Sequence, residues 1–130
     1  MSFFLNYTPT VQVVVENAFS SERYPVNETV VAVIDTGYEG FLAVPIDVFH
    51  RLGFNELQPV DRTLVLANGS VLTSKGVYAA VKLPHISFKL DGFIETYDGL
   101  DEIILGVEAL SRFKSTFDYC SQRITIQPCP

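Results

Sequence analysis

Apolar residues recur along this chain in short bursts, and clusters of turn-forming residues separate the bursts. Residues 10–15 alternate and are rich in Val, a pattern that predicts a half-buried strand. Residues 20–28 carry Ser, Pro and Asn, which predicts a turn, and residues 29–34 return as a second apolar strand. Residues 62–66 and 71–73 flank Asn68-Gly69, and this predicts a hairpin because Asn-Gly supplies the positive φ values of a tight turn. Residues 76–83, 86–90, 93–96, 102–105 and 123–127 complete the predicted strands. Two segments carry helix signals. Residues 45–52 start with Pro45, which suits a first helical turn, and stop at Gly53. Residues 107–113 place Val107, Leu110 and Phe113 at helical spacing after Gly106. Strands outnumber helices, and no repeat or linker interrupts them. The expectation is one mostly-β domain over residues 1–130 that closes on itself as a small barrel with one or two short helices.

Composition narrows the class. With 48% hydrophobic and 18% charged residues, the chain is not of the disordered type. Its 130 residues fit one domain of the usual ~100–150. Fifteen acidic against nine basic residues give a net charge of −6, which argues against a nucleic-acid partner because phosphate binding runs on clustered Lys and Arg. Met1 to Tyr7 lack the basic start and apolar run of a signal peptide, and no stretch approaches the ~18 apolar residues of a membrane span. These features predict a cytoplasmic chain with no membrane partner. Cys120 and Cys129 lack CxxC spacing and are expected as reduced thiols.

One feature breaks the β-pattern. The run from Val30 to Ile34 belongs in a sheet core, yet it ends directly in Asp35-Thr36-Gly37. Burying a carboxylate beside such a strand costs several kcal/mol unless partners compensate. Gly37 allows a sharp reversal, and Thr36 offers a hydroxyl to hold it. An ordinary exposed turn has the same composition, so the tripeptide alone decides nothing. Its surroundings add weight: Tyr38 to Pro45 return to an apolar run, Asn68-Gly69-Ser70 follows, and Glu102-Ile103-Ile104-Leu105-Gly106 supplies a second apolar strand ending in glycine.

In this order the residues resemble the retropepsin-like aspartic proteases, single-lobe relatives of pepsin that include the retroviral proteases. The resemblance runs from about Val11 to Ile126. It implies that Asp35 is the catalytic aspartate, that Thr36 ties the active-site loops of two subunits together, and that Gly37 permits the turn. Ala67, Asn68, Gly69 and Ser70 would form the flap over a bound peptide. Ile104-Leu105-Gly106 would match the family's hydrophobic-hydrophobic-Gly signature behind the aspartate loop, and Ile104 would touch substrate. Terminal strands would help form a dimer interface. Two departures stand out: Tyr38 replaces the small residue of retroviral members, closer to the prokaryotic branch, and the flap lacks their glycine-dense tip.

Aspartic protease chemistry needs two carboxylates sharing a proton around a water molecule. This chain has a single Asp-Thr-Gly, while Asp91-Gly92 and Asp98-Gly99 read as ordinary turns. A two-fold homodimer would supply the second Asp35 from the same motif. The expected function is therefore an aspartic endopeptidase acting on extended peptide or protein segments without metal or organic cofactor. The alternative is a non-proteolytic peptide-binding or assembly module that keeps the fold. Competing chemistries are weaker: His50 and His85 have no His or Cys companion at ligand spacing, nothing near Cys120 activates it, and Asp98, Asp101 and Glu102 lack the ordered ligands of an EF-hand loop.

Overall fold

The computed structural model describes residues 1–130. Its strands are β1 (Ser2–Leu5), β2 (Thr8–Glu16), β3 (Arg23–Tyr24), β4 (Val30–Ile34), β5 (Leu42–Ala43), β6 (Val60–Val65), β7 (Val71–Leu83), β8 (Phe88–Thr96), β9 (Ile103–Leu105), β10 (Phe113–Asp118) and β11 (Arg123–Pro128). Two short helices, α1 (Ile46–Arg51) and α2 (Val107–Leu110), follow β5 and β9. The chain is mostly β, as its hydrophobic pattern predicts.

Six strands close into a ring in the order β2-β4-β9-β5-β8-β7, and β7 pairs back to β2. Closure depends on β2 changing partner midway. Residues Thr10 to Val13 pair with β4, and Val14 to Glu16 pair with β7. Two contacts in the ring are parallel, β4 with β9 and β5 with β8. Parallel neighbours are normally covered on both faces, which suits the uninterrupted apolar runs of β4 and β9. The interior is filled by Val11, Val13, Val15, Ile34, Phe41, Leu42, Leu83, Ile94 and Leu105, among others, all buried. Phe49 of α1 packs edge-on against Phe54 at 5.3 Å between ring centroids, so this helix seals one side of the barrel.

Several local expectations are refined. The predicted segments 71–73 and 76–83 are one strand, β7, whose first half projects as a hairpin arm and whose second half lies in the ring. The predicted 86–90 and 93–96 merge into β8, which starts only at Phe88 because Ile86 and Ser87 belong to a turn. Asp91-Gly92 therefore lies inside a strand and not in a turn: a Cβ at Gly92 would come within 2.6 Å of the Phe41 ring, so glycine makes room for that side chain. Asp98-Gly99 is a turn, with Gly99 at φ +89°. The second helix is shorter than expected. It ends at Leu110, and Phe113 opens β10, where it stacks on Phe88 at 5.9 Å.

The β10–β11 hairpin forms a second, two-stranded sheet. It meets the N-terminal strand through Phe4 and Tyr119, whose rings lie 4.7 Å apart. The two ends of the chain are thus brought to one side of the barrel. Cys120 and Cys129 are both exposed free thiols. No helix is long and apolar enough to cross a membrane.

Candidate active site

Asp35 stands where β4 leaves the barrel. Its amide donates to the Leu105 carbonyl at 3.0 Å, one step beyond the last parallel pair, Ile34 with Leu105. The turn is then fixed from within: the Gly37 N–H donates to Asp35 Oδ1 at 2.8 Å, and the Tyr38 N–H donates to the Asp35 carbonyl at 3.2 Å. Asp35 is partly exposed, while Thr36 and Gly37 are exposed at the tip of the turn.

The loop is laced to the segment after β9. The Gly106 amide donates to Phe41, the Val107 amide to Tyr38 and the Glu108 amide to Gly40, at 3.0, 2.8 and 3.1 Å. Gly106 has no space for a side chain, because a Cβ there would collide with the Gly40 carbonyl and lie 2.6 Å from Tyr38 Cδ2. The glycine after Ile104-Leu105 is thereby explained: it lets two loops and an aromatic ring occupy one place.

Across from Asp35 rises the β6–β7 hairpin. Its tip is closed by Leu66 N–H to the Ser70 carbonyl at 2.8 Å, with Gly69 at φ +84° and the Ser70 amide donating to Asn68 Oδ1 at 2.9 Å. The hairpin is the one that Asn-Gly predicts, but only Gly69 takes a positive φ; Asn68 instead holds the loop by accepting from Ser70. Between the hairpin and the aspartate loop lies a cleft of about 780 Å³. It brings together Asp35, Gly37, Ala67 and Ile104 from the sequence-derived site. Asn68, Gly69 and Ser70 lie outside the cleft wall, exposed at the hairpin tip, and Thr36 is not part of the wall either. The inner arm of the hairpin, from Arg62 to Leu66, forms the wall instead, together with Tyr38 and Tyr97.

The sequence reading missed the residue that organises this wall. Glu95 of β8 has no exposed surface. Its carboxylate accepts from Arg62 Nε at 2.7 Å, Arg62 Nη2 at 2.6 Å, Ser74 Oγ at 2.5 Å and the Tyr38 hydroxyl. A buried charge is tolerated when it is paired and its lone pairs are filled, and both conditions hold here. Tyr38 therefore does not obstruct the cleft with its hydroxyl; that end turns inward to Glu95. Burial, and then the Glu95 carboxylate, push the Tyr38 hydroxyl well above the ordinary tyrosine range, with Arg62 opposing. The hydrogen bond to Glu95 likewise raises Arg62 above its usual value. Tyr97 is raised too, first by burial and then by the negative charges of Glu95, Asp35, Glu102 and Asp101. The local sequence carries only a weak signal, a charge inside the predicted strand 93–96, and a strand with one face in solvent carries charges as readily.

His50 and His85 stand apart, His50 exposed at the end of α1 and His85 in a turn where its Nε2 lies 3.4 Å from Ser2 Oγ.

No protein-family model matches the chain. It is 44% identical over 126 residues to an uncharacterized protein of Archaeoglobus fulgidus, covering 97% of this chain and 98% of that one. Among solved structures it superposes on a retropepsin-like aspartic protease from Rickettsia conorii with a TM-score of 0.68 at 19% identity, over 98% of this chain and 88% of that one. It also superposes on the retroviral protease-like domain of Ddi1 from Leishmania major, with a TM-score of 0.52 at 14% identity and 93% coverage of both.

Proposed function

Because this chain has the retropepsin-like fold and belongs to one family with the Archaeoglobus fulgidus protein, we infer that it is an aspartic endopeptidase acting as a homodimer. The observation that carries this reading is the position of Asp35: partly exposed, held by one amide, and lining a cleft beneath a hairpin. A second Asp35 from a two-fold partner would complete the pair. One carboxylate then takes a proton from the attacking water while the other, protonated, hydrogen-bonds the scissile carbonyl. Like charges this close cannot both ionise cheaply, so the pair retains a single proton.

The peptide would lie extended along the cleft, with main-chain hydrogen bonds for affinity and apolar contacts for selectivity. Leu64, Val65, Leu66, Ala67 and Ile104 supply those apolar contacts. Thr36, exposed at the turn, would meet its symmetry mate, and the gathered terminal strands would extend the subunit contact. A statine-type inhibitor should bind, since its hydroxyl imitates the attacking water.

The decisive experiment pairs Asp35→Asn with sedimentation. Loss of peptide cleavage by at least about 1,000-fold with the dimer retained is the expected result. A monomer that cleaves through Asp35 would overturn the dimer requirement. Failure of the unmodified dimer to cleave any peptide between acidic and neutral pH would favour the peptide-binding module.

A further inference from the structure

The cleft wall formed by β6 is an edge strand. β6 pairs only with β7, and the tip beyond it is free, since a Cβ at Gly69 would meet no atom within 4 Å. Backbone pairing alone leaves such a hairpin able to swing about its base. Its base carries Arg62 and Ser74, which face each other in register across β6 and β7. Both side chains donate to Glu95, and Glu95 also accepts from Tyr38, three residues beyond Asp35 in the aspartate loop. Four segments of the chain thus converge on one buried carboxylate. The packing is arranged around this convergence: a Cβ at Gly40 would lie 2.8 Å from Arg62 Nη2, and one at Gly106 would press on the Tyr38 ring.

We propose that Tyr38, Glu95, Arg62 and Ser74 form a strut that fixes the hairpin relative to Asp35, with Tyr38 and Glu95 as positioning residues for the bound peptide. Arg62 transmits the restraint because the same side chain grips Glu95 and lines the cleft, and the residues after it form the rest of the wall. Tyr38 closes the strut onto the aspartate loop. Its hydroxyl is a donor that cannot be replaced by the ring alone.

The test is amide hydrogen exchange on unliganded Tyr38→Phe and Glu95→Gln, followed residue by residue. The strut predicts that exchange at residues 62–66 and 71–74 accelerates by about tenfold or more beyond the acceleration of the β2 and β4 amides, which reports the loss of global stability common to the whole fold. Acceleration spread evenly over all strands, or no acceleration in the hairpin, overturns it. Should either variant not fold, Ser74→Ala carries the same test with a smaller expected change at the same residues. The kinetic arm rests on the endopeptidase reading: KM for a peptide should rise about fivefold in Tyr38→Phe, with kcat within about twofold. The two readings fail separately. Localised exchange in a protein that cleaves nothing leaves the strut standing and removes the protease. An unchanged hairpin in a protein whose cleavage depends on Asp35 does the reverse.

Discussion

Glu95 has no exposed surface and accepts four hydrogen bonds from Tyr38, Arg62 and Ser74, whereas Asp35, partly exposed in the same cleft region, accepts one from the Gly37 amide. The first carboxylate is saturated, with no capacity left for a water or a peptide group. The second keeps an oxygen open. Burial by itself would mark Glu95 as the more unusual acid, yet its donors leave it nothing to bind with, whereas Asp35 keeps the free lone pairs that the proposed chemistry requires. A carboxylate that must exchange protons needs unfilled lone pairs; one that must hold strands together needs them filled.

The sharpest way to break this contrast is to remove each acid and measure stability. Glu95→Ala takes the shared acceptor from Arg62, Ser74 and the Tyr38 hydroxyl, and should cost about 3 kcal/mol in urea unfolding, the 39% exposure of the Arg62 side chain keeping it below the loss from a fully buried pair. Asp35→Asn keeps an oxygen for the Gly37 amide and should cost less than about 0.5 kcal/mol. Similar losses in the two variants would erase the distinction.

A smaller effect is expected at Tyr38. Tyr38→Phe should cost about 1–3 kcal/mol, because a buried acceptor loses one donor while Arg62 and Ser74 remain. It should also alter the alkaline limb. Burial and Glu95 raise the Tyr38 hydroxyl against the opposing charge of Arg62, so the folded protein holds this proton more tightly than the unfolded chain. The contribution is complete below pH about 10 and is lost as pH rises beyond it. Wild-type stability should therefore fall more steeply above that pH than Tyr38→Phe stability. Parallel pH profiles would show that the hydroxyl is not held as described. Among the donors to Glu95 the smallest effect belongs to Ser74→Ala, about 1 kcal/mol by the same unfolding measurement.

The two acids also differ in how far the sequence reveals them. Asp35 follows an apolar run and precedes a turn, a local conflict between burial and charge that is visible within eight residues. The Asn68-Gly69 hairpin, the individual strands of the ring and the Ile104-Leu105-Gly106 segment were legible for the same reason, since each is written in neighbouring positions. Glu95 was not. Its partner Tyr38 is 57 residues away and Arg62 is 33 away, so nothing near Glu95 in the chain explains why a charge sits between Ile94 and Thr96. Tyr38 accordingly read as a misfit in the aspartate loop when it is the loop's tie to the barrel. The strands missed outright, β1, β3, β5 and β10, were hidden by context. β3 and β5 are two residues long and exist through their partners, and β10 begins at a residue whose spacing suggested the end of a helix.

The change of partner along β2 has a consequence for how the molecule comes into being. Val13 pairs with Val30 close by in the chain, but the next residue, Val14, pairs with Lys82 far along it. The β6–β7 hairpin can zip up alone on a microsecond scale, whereas ring closure must wait for a distant encounter whose loop-closure entropy is large. A nascent chain would thus carry a formed hairpin well before it has an aspartate loop for that hairpin to cover. The cleft is among the last features of the fold to exist.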